Sequence, residues 1–85
     1  MGLLEVHPAA LKNGVAEKDI QHVYLNPQWI YTDQGDWGLT MHVGFAQNGA
    51  TLIEVGLYAV DGTDDFVAVH AMRVSKQRAR DRYGL

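Results

Sequence analysis

The sequence predicts an α+β fold: two short N-terminal helices, an antiparallel three- or four-stranded sheet, and a C-terminal basic helix. Three observations lead there. Leu39, Met41, Val43 and Phe45 alternate with Thr40, His42, Gly44 and Ala46, and Asn48-Gly49 then joins this run to the apolar segment Thr51 to Val60. The residues ahead of it are punctuated by Pro8, Asn13-Gly14 and Pro27 in the manner of short helices. Ser75 precedes a basic run, Lys76 to Tyr83, as a cap precedes a helix.

Taken in order, His7 to Gly14 opens with a proline suited to the first helical position and closes on Asn-Gly, a helix stop. Glu17 to Asn26 places Ile20, Val23 and Tyr24 on one face, with Glu17 and Asp19 beside the exposed amides of the first turn and Pro27 as the terminator. Both helices are too short to persist alone, so they must dock on the sheet, and the expectation is that helices cover one of its faces. Trp29 to Thr32 has strand composition, Asp33 to Asp36 supplies a turn, and Gly38 starts the alternating strand. Asn48 and Gly49 are expected to occupy two left-handed positions of a tight hairpin. In the return strand Ile53, Val55, Leu57 and Ala59 are in phase, and Asp61 to Asp65 leads to the next strand, Phe66 to Met72.

A chain of 85 residues is read as a single domain, 1–85, burying only about 60 to 65% of its unfolded surface. There is no cysteine, which removes disulfides, thiolate metal sites and cysteine nucleophiles from consideration. The opening Met-Gly-Leu-Leu-Glu is unlike a signal peptide, and no long apolar run suggests a membrane span, so a soluble cytoplasmic protein is expected. The net charge of −3 conceals an asymmetry. From Arg73 onward five bases oppose the single acid Asp81, giving +4, which leaves −7 for Met1 to Met72.

That basic tail is the main functional signal. Lys76, Arg80 and Tyr83 share one stripe of the helix and Arg78 and Arg82 another, so all the charges cannot meet one small ligand. A solvated helix, an RNA contact and an acidic protein partner all fit, and arginine's rigid fork suits phosphate or carboxylate. Of the four histidines none is spaced to form a metal pair, so neither a metal nor a cofactor is expected. Regular alternation puts His70 with Phe66, Ala68 and Met72, and Arg73 on the opposite face with Val67, Val69 and Ala71. There His70 is either a hydrogen-bonded core residue or an imidazole available for proton transfer beside arginines. His42 reads as a sheet-surface residue. Trp29, Tyr31 and Trp37 read as core packing, with base stacking as the other use.

The segments Pro8-Ala9-Ala10, Lys12-Asn13-Gly14-Val15, Asn26-Pro27, Thr51-Leu52-Ile53-Glu54-Val55, Val69-His70-Ala71-Met72-Arg73 and the arginine-rich run closing on Tyr83 occur in an order that touches most of the chain. In that order they resemble the BrnT-like toxins of type II toxin–antitoxin systems, relatives of the RelE-type ribonucleases. Two places depart from the family pattern: Asn13 stands where histidine is frequent, and His70-Ala71-Met72 replaces Ser-Ala-Arg, which either displaces the arginine to Arg73 or deletes it. The resemblance implies metal-independent cleavage of RNA, either free or ribosome-associated, with His70, Arg73 and Arg80 as catalytic candidates. Lys76, Arg78, Arg82 and Tyr83 become the RNA- or antitoxin-binding set, with Arg82 also a candidate phosphate ligand, and a separate antitoxin protein is the implied partner. A catalytically inactive protein- or RNA-binding module of the same fold is the alternative.

Overall fold

A computed structural model describes residues 2–32 and 39–84. The elements are β1 (Leu4–Val6), a single 3-10 turn (Pro8–Leu11), α1 (Glu17–Leu25), β2 (Trp29–Thr32), β3 (Thr40–Phe45), β4 (Leu52–Ala59), β5 (Phe66–Arg73) and α2 (Lys76–Tyr83). The strands form one sheet in the order β1-β5-β4-β3-β2. All pairings are antiparallel except β1 with β5, which is parallel. The α+β class stands. The expected turn at Asp33 to Asp36, together with Gly38 and Trp37, falls outside the described residues.

Three expectations about elements need correction. The N-terminal region holds one α-helix, not two, because Pro8-Ala-Ala-Leu closes only a four-residue 3-10 turn, with His7 Nδ1 accepting from the Ala9 amide at 3.1 Å. The sheet has five strands, since Leu4–Val6 docks beside β5 and was too short to show a period of its own. The helices do not share a face. Ile20 and Val23 of α1 and Ala10 of the 3-10 turn pack with Ile53, Val55, Leu57, Ala68 and Ala71 on one side. Ala79 and Tyr83 of α2 pack with Trp29, Tyr31, Val43, Phe45, Leu52 and Met72 on the other.

The β3–β4 hairpin forms as its pattern requires, with Phe45 opposite Leu52 and Met41 opposite Gly56. Only Gly49 is left-handed, at φ +73°, where two such positions were expected. Asn48 acts instead through its side chain: Oδ1 accepts from the Ala50 and Thr51 amides at 2.8 and 3.0 Å, holding a four-residue loop. At the far end Ser75 Oγ accepts from Arg78 N at 3.0 Å and Gly84, at φ +70°, ends α2.

The feature that positions the site is an irregularity in β5. His70 pairs with Gly56 but Ala68 pairs with Leu57, so Val69 is an extra residue, a β-bulge. The bulge reverses the phase of the strand. Phe66 and Ala68 face α1, while His70 and Met72 face α2, opposite Gly56 and Glu54. The regular alternation that grouped His70 with Phe66 and Ala68 is thereby corrected. Arg73, opposite Ile53, does lie on the other face from His70.

Candidate functional site

The apolar phase of β4 sends Ile53, Val55 and Leu57 toward α1, which leaves Glu54 pointing at α2 between Val43 and Met72 of the neighbouring strands. Its side chain is 1% exposed. A carboxylate taken that far from water must be matched by donors. They come from two elements. His70 Nε2 lies 2.8 Å from Oε2, Arg82 Nη1 lies 3.0 Å from each oxygen, and Tyr83 donates its hydroxyl to Oε1 at 3.0 Å. Gly56 makes room for the imidazole, because a Cβ there would stand 3.2 Å from His70 Cβ and 3.3 Å from Met41 Sδ. The Tyr83 ring is held by stacking on Tyr31, with centroids 4.6 Å apart.

The electrostatics follow from this placement. Burial pulls the Glu54 pKa upward and is the largest single influence, yet the hydrogen bonds from His70 and Tyr83 and the charge of Arg82 together outweigh it, so the net shift is downward. Tyr83 is pushed up to about 12, chiefly by burial and then by the Glu54 charge. Arg82 is raised by the same carboxylate. With Glu54 ionised and able only to accept, the hydrogen on the His70–Glu54 contact belongs to Nε2, which places the lone pair of the neutral ring on Nδ1. No described residue hydrogen-bonds that nitrogen. The His70 and Arg82 side chains are 31% and 43% exposed, so a half-open imidazole and guanidinium stand side by side on a buried carboxylate.

The residues singled out in the sequence are therefore divided. His70, Arg82 and Tyr83 meet at Glu54. Arg73, a catalytic candidate only through the resemblance, lies on the opposite face as the strand alternation predicts, with Nη2 on the Gly14 carbonyl at 3.3 Å. Arg80 does not join His70 either. With Lys76 it borders a cleft of about 220 Å³ whose remaining lining is Trp29, Phe45, Leu52 and Ala79. Arg78 is exposed on α2. The catalytic grouping of His70, Arg73 and Arg80 is thus spread over two faces of the sheet and two places on one of them.

Sequence reasoning missed Glu54 as a site residue. Its signal was present, a lone acid in the otherwise uncharged run Thr51 to Val60. His42 also needs correction, since it is buried on the α1 side, its ring stacked 5.6 Å from Tyr24 and Nδ1 without a partner. Burial lowers its pKa, and the Tyr24 backbone opposes this in part. Among the described residues no group of three or more His, Asp or Glu is placed to hold a metal ion, and no helix is long and apolar enough to cross a membrane. Compared with known proteins, the chain matches no family model, no curated protein and no solved structure.

Proposed function

We propose that this protein is a metal-independent endoribonuclease of the toxin type, acting in the cytoplasm at the His70–Arg82 pair. The observation that carries the reading is the shared buried carboxylate. Glu54 fixes the imidazole with Nδ1 free and holds Arg82 through Nη1, which leaves the other guanidinium N–H groups for a phosphate. In the reaction His70 Nδ1 takes the proton from a ribose 2′-hydroxyl as that oxygen bonds to phosphorus, Arg82 stabilises the charge on the phosphoryl oxygens, and the P–O5′ bond breaks. Water protonates the departing 5′-oxygen, and a 2′,3′-cyclic phosphate is left. Tyr83, its pKa raised, keeps its proton and serves as a donor to Glu54. Arg73 has no part in this chemistry. The partner of such a toxin is a separate antitoxin, expected from a small adjacent reading frame.

A second reading has its own observation. Both Glu54 oxygens are fully engaged, so the cluster also works as a clamp between α2 and the sheet in a non-enzymatic binding module. Cleavage of total RNA in EDTA, with and without ribosomes, separates the two. The enzyme predicts a loss of about 10²-fold or more for His70→Ala and about 10²- to 10³-fold for Arg82→Ala, with Arg73→Ala near wild type. A folded His70→Ala protein that cuts as well as wild type, or a wild type that does not cut at all, overturns the ribonuclease.

A further inference from the structure

The cleft at Trp29, Phe45, Leu52 and Ala79 lies outside the His70–Arg82 centre and differs from it in chemistry. Its floor is aromatic and aliphatic, with Lys76 and Arg80 from the first two turns of α2 as its charges. Beside it runs β2, the outermost strand on that side of the sheet among the described residues. Trp29 belongs to both the strand and the cleft. The strand reads Trp-Ile-Tyr-Thr, with none of the lysines or prolines that commonly guard an open edge, and Ile30 is exposed.

We infer that this surface takes an extended, acidic segment of a second, different protein, which adds a strand alongside β2 and drops one bulky apolar side chain into the cleft between Lys76 and Arg80. Strand addition gives side chains of alternating direction, so one residue meets the cleft while acids flanking it along the segment reach the two cations. Charge decides against two other occupants. In a symmetric pair of this chain, copies joined at β2 would bring like-charged Lys76 and Arg80 pairs toward each other. A nucleobase would bury an edge that carries donors as well as acceptors against side chains that only donate, Lys76, Arg80 and the Trp29 indole. The inference goes beyond RNA cleavage and stands without it, because neither Lys76 nor Arg80 touches the Glu54 cluster.

The test is selection of a phage-displayed library of random peptides, about 12 residues long, on the immobilised full chain. The chosen peptides are then measured on wild type and on Lys76→Glu/Arg80→Glu. Both side chains are exposed, so the variant should keep its fold, which far-UV circular dichroism and a melt check. Should it unfold, the neutral pair Lys76→Gln/Arg80→Gln takes its place with a smaller expected loss. The expected peptides carry one large apolar residue flanked by Asp or Glu, and bind the charge-reversed protein at least about tenfold more weakly. Cleavage of RNA is scored on the same variants, so failure of the ribonuclease reading and failure of this one are seen separately. Three results overturn the inference: no enriched peptide, enriched peptides that bind the variant equally well, or self-association or oligonucleotide binding at this surface in place of peptide binding.

Discussion

Glu54→Gln keeps the size of the buried side chain while removing its charge, and so isolates what the cluster does for the fold. The amide oxygen can still accept from Tyr83 and from Arg82. The amide nitrogen replaces Oε2 and meets a donor at Arg82 Nη1, 3.0 Å away, while His70 Nε2, 2.8 Å away, loses its ionised acceptor and can meet the amide only by moving its hydrogen to Nδ1. Two bonds to an ionised acceptor are lost, each worth about 1.5–3 kcal/mol when buried. Arg82 and His70 reach water, at 43% and 31% exposure, which roughly halves the sum to about 1.5–3 kcal/mol. For a domain of this size that lowers Tm by about 6–24 °C. The effect also depends on pH. Because the Glu54 pKa is depressed on folding, its stabilisation is complete above the ordinary value of 4.5 and disappears as pH falls through the lower folded value. Thermal melts of both proteins from pH 7 down to pH 3 should therefore converge in acid. A Glu54→Gln protein melting within about 4 °C of wild type at pH 7, or a difference unchanged at pH 3, would refute the reasoning.

Two further outcomes rest on other parts of the molecule. Ser75→Ala removes the acceptor for the Arg78 amide and should cost about 1 kcal/mol, read as a Tm lower by about 4–8 °C, while a variant indistinguishable from wild type would show that the cap adds nothing to the packing and Glu54 contacts that hold α2. His42 is buried with its pKa lowered below 6.5, so the unfolded chain binds a proton there that the folded chain resists, and stability falls as pH drops below that value. His42→Phe should flatten this part of the stability profile between pH 7 and 5 whatever it does to the absolute Tm, and an unchanged slope would exclude His42 as its source.

The sequence was most informative where a local rule had no competitor. Ser75 and the basic run gave α2 its bounds, and the period of two from Leu39 to Phe45 gave β3 its faces. It was least informative where the deciding contact was distant. Three residues, Leu4 to Val6, carry no period and become a strand only by pairing with Phe66 to Ala68. The Val69 bulge leaves the composition of β5 unchanged, yet it moves His70 from the expected face to the one that holds Glu54. The site was therefore half visible. A histidine and the basic helix stood out, but Glu54, which brings His70, Arg82 and Tyr83 together, resembled any polar residue in a strand until the sheet placed it under α2.

The parallel pairing of β1 with β5 also sets an order of events. The Leu3 carbonyl accepts from the Phe66 amide, and the His7 amide donates to the Ala68 carbonyl, so the earliest strand has no ladder partner until one more than sixty residues later is available. Contacts of that sequence separation close slowly, since the intervening chain must lose its freedom before they form. On a ribosome β3 and β4 can pair as soon as their hairpin emerges, whereas β1 waits for β5 with Leu4 and Val6 uncovered. Arg82 and Tyr83 come later still. The Glu54 carboxylate therefore emerges before its α2 partners, and the centre gains its full charge match only after α2 has been made.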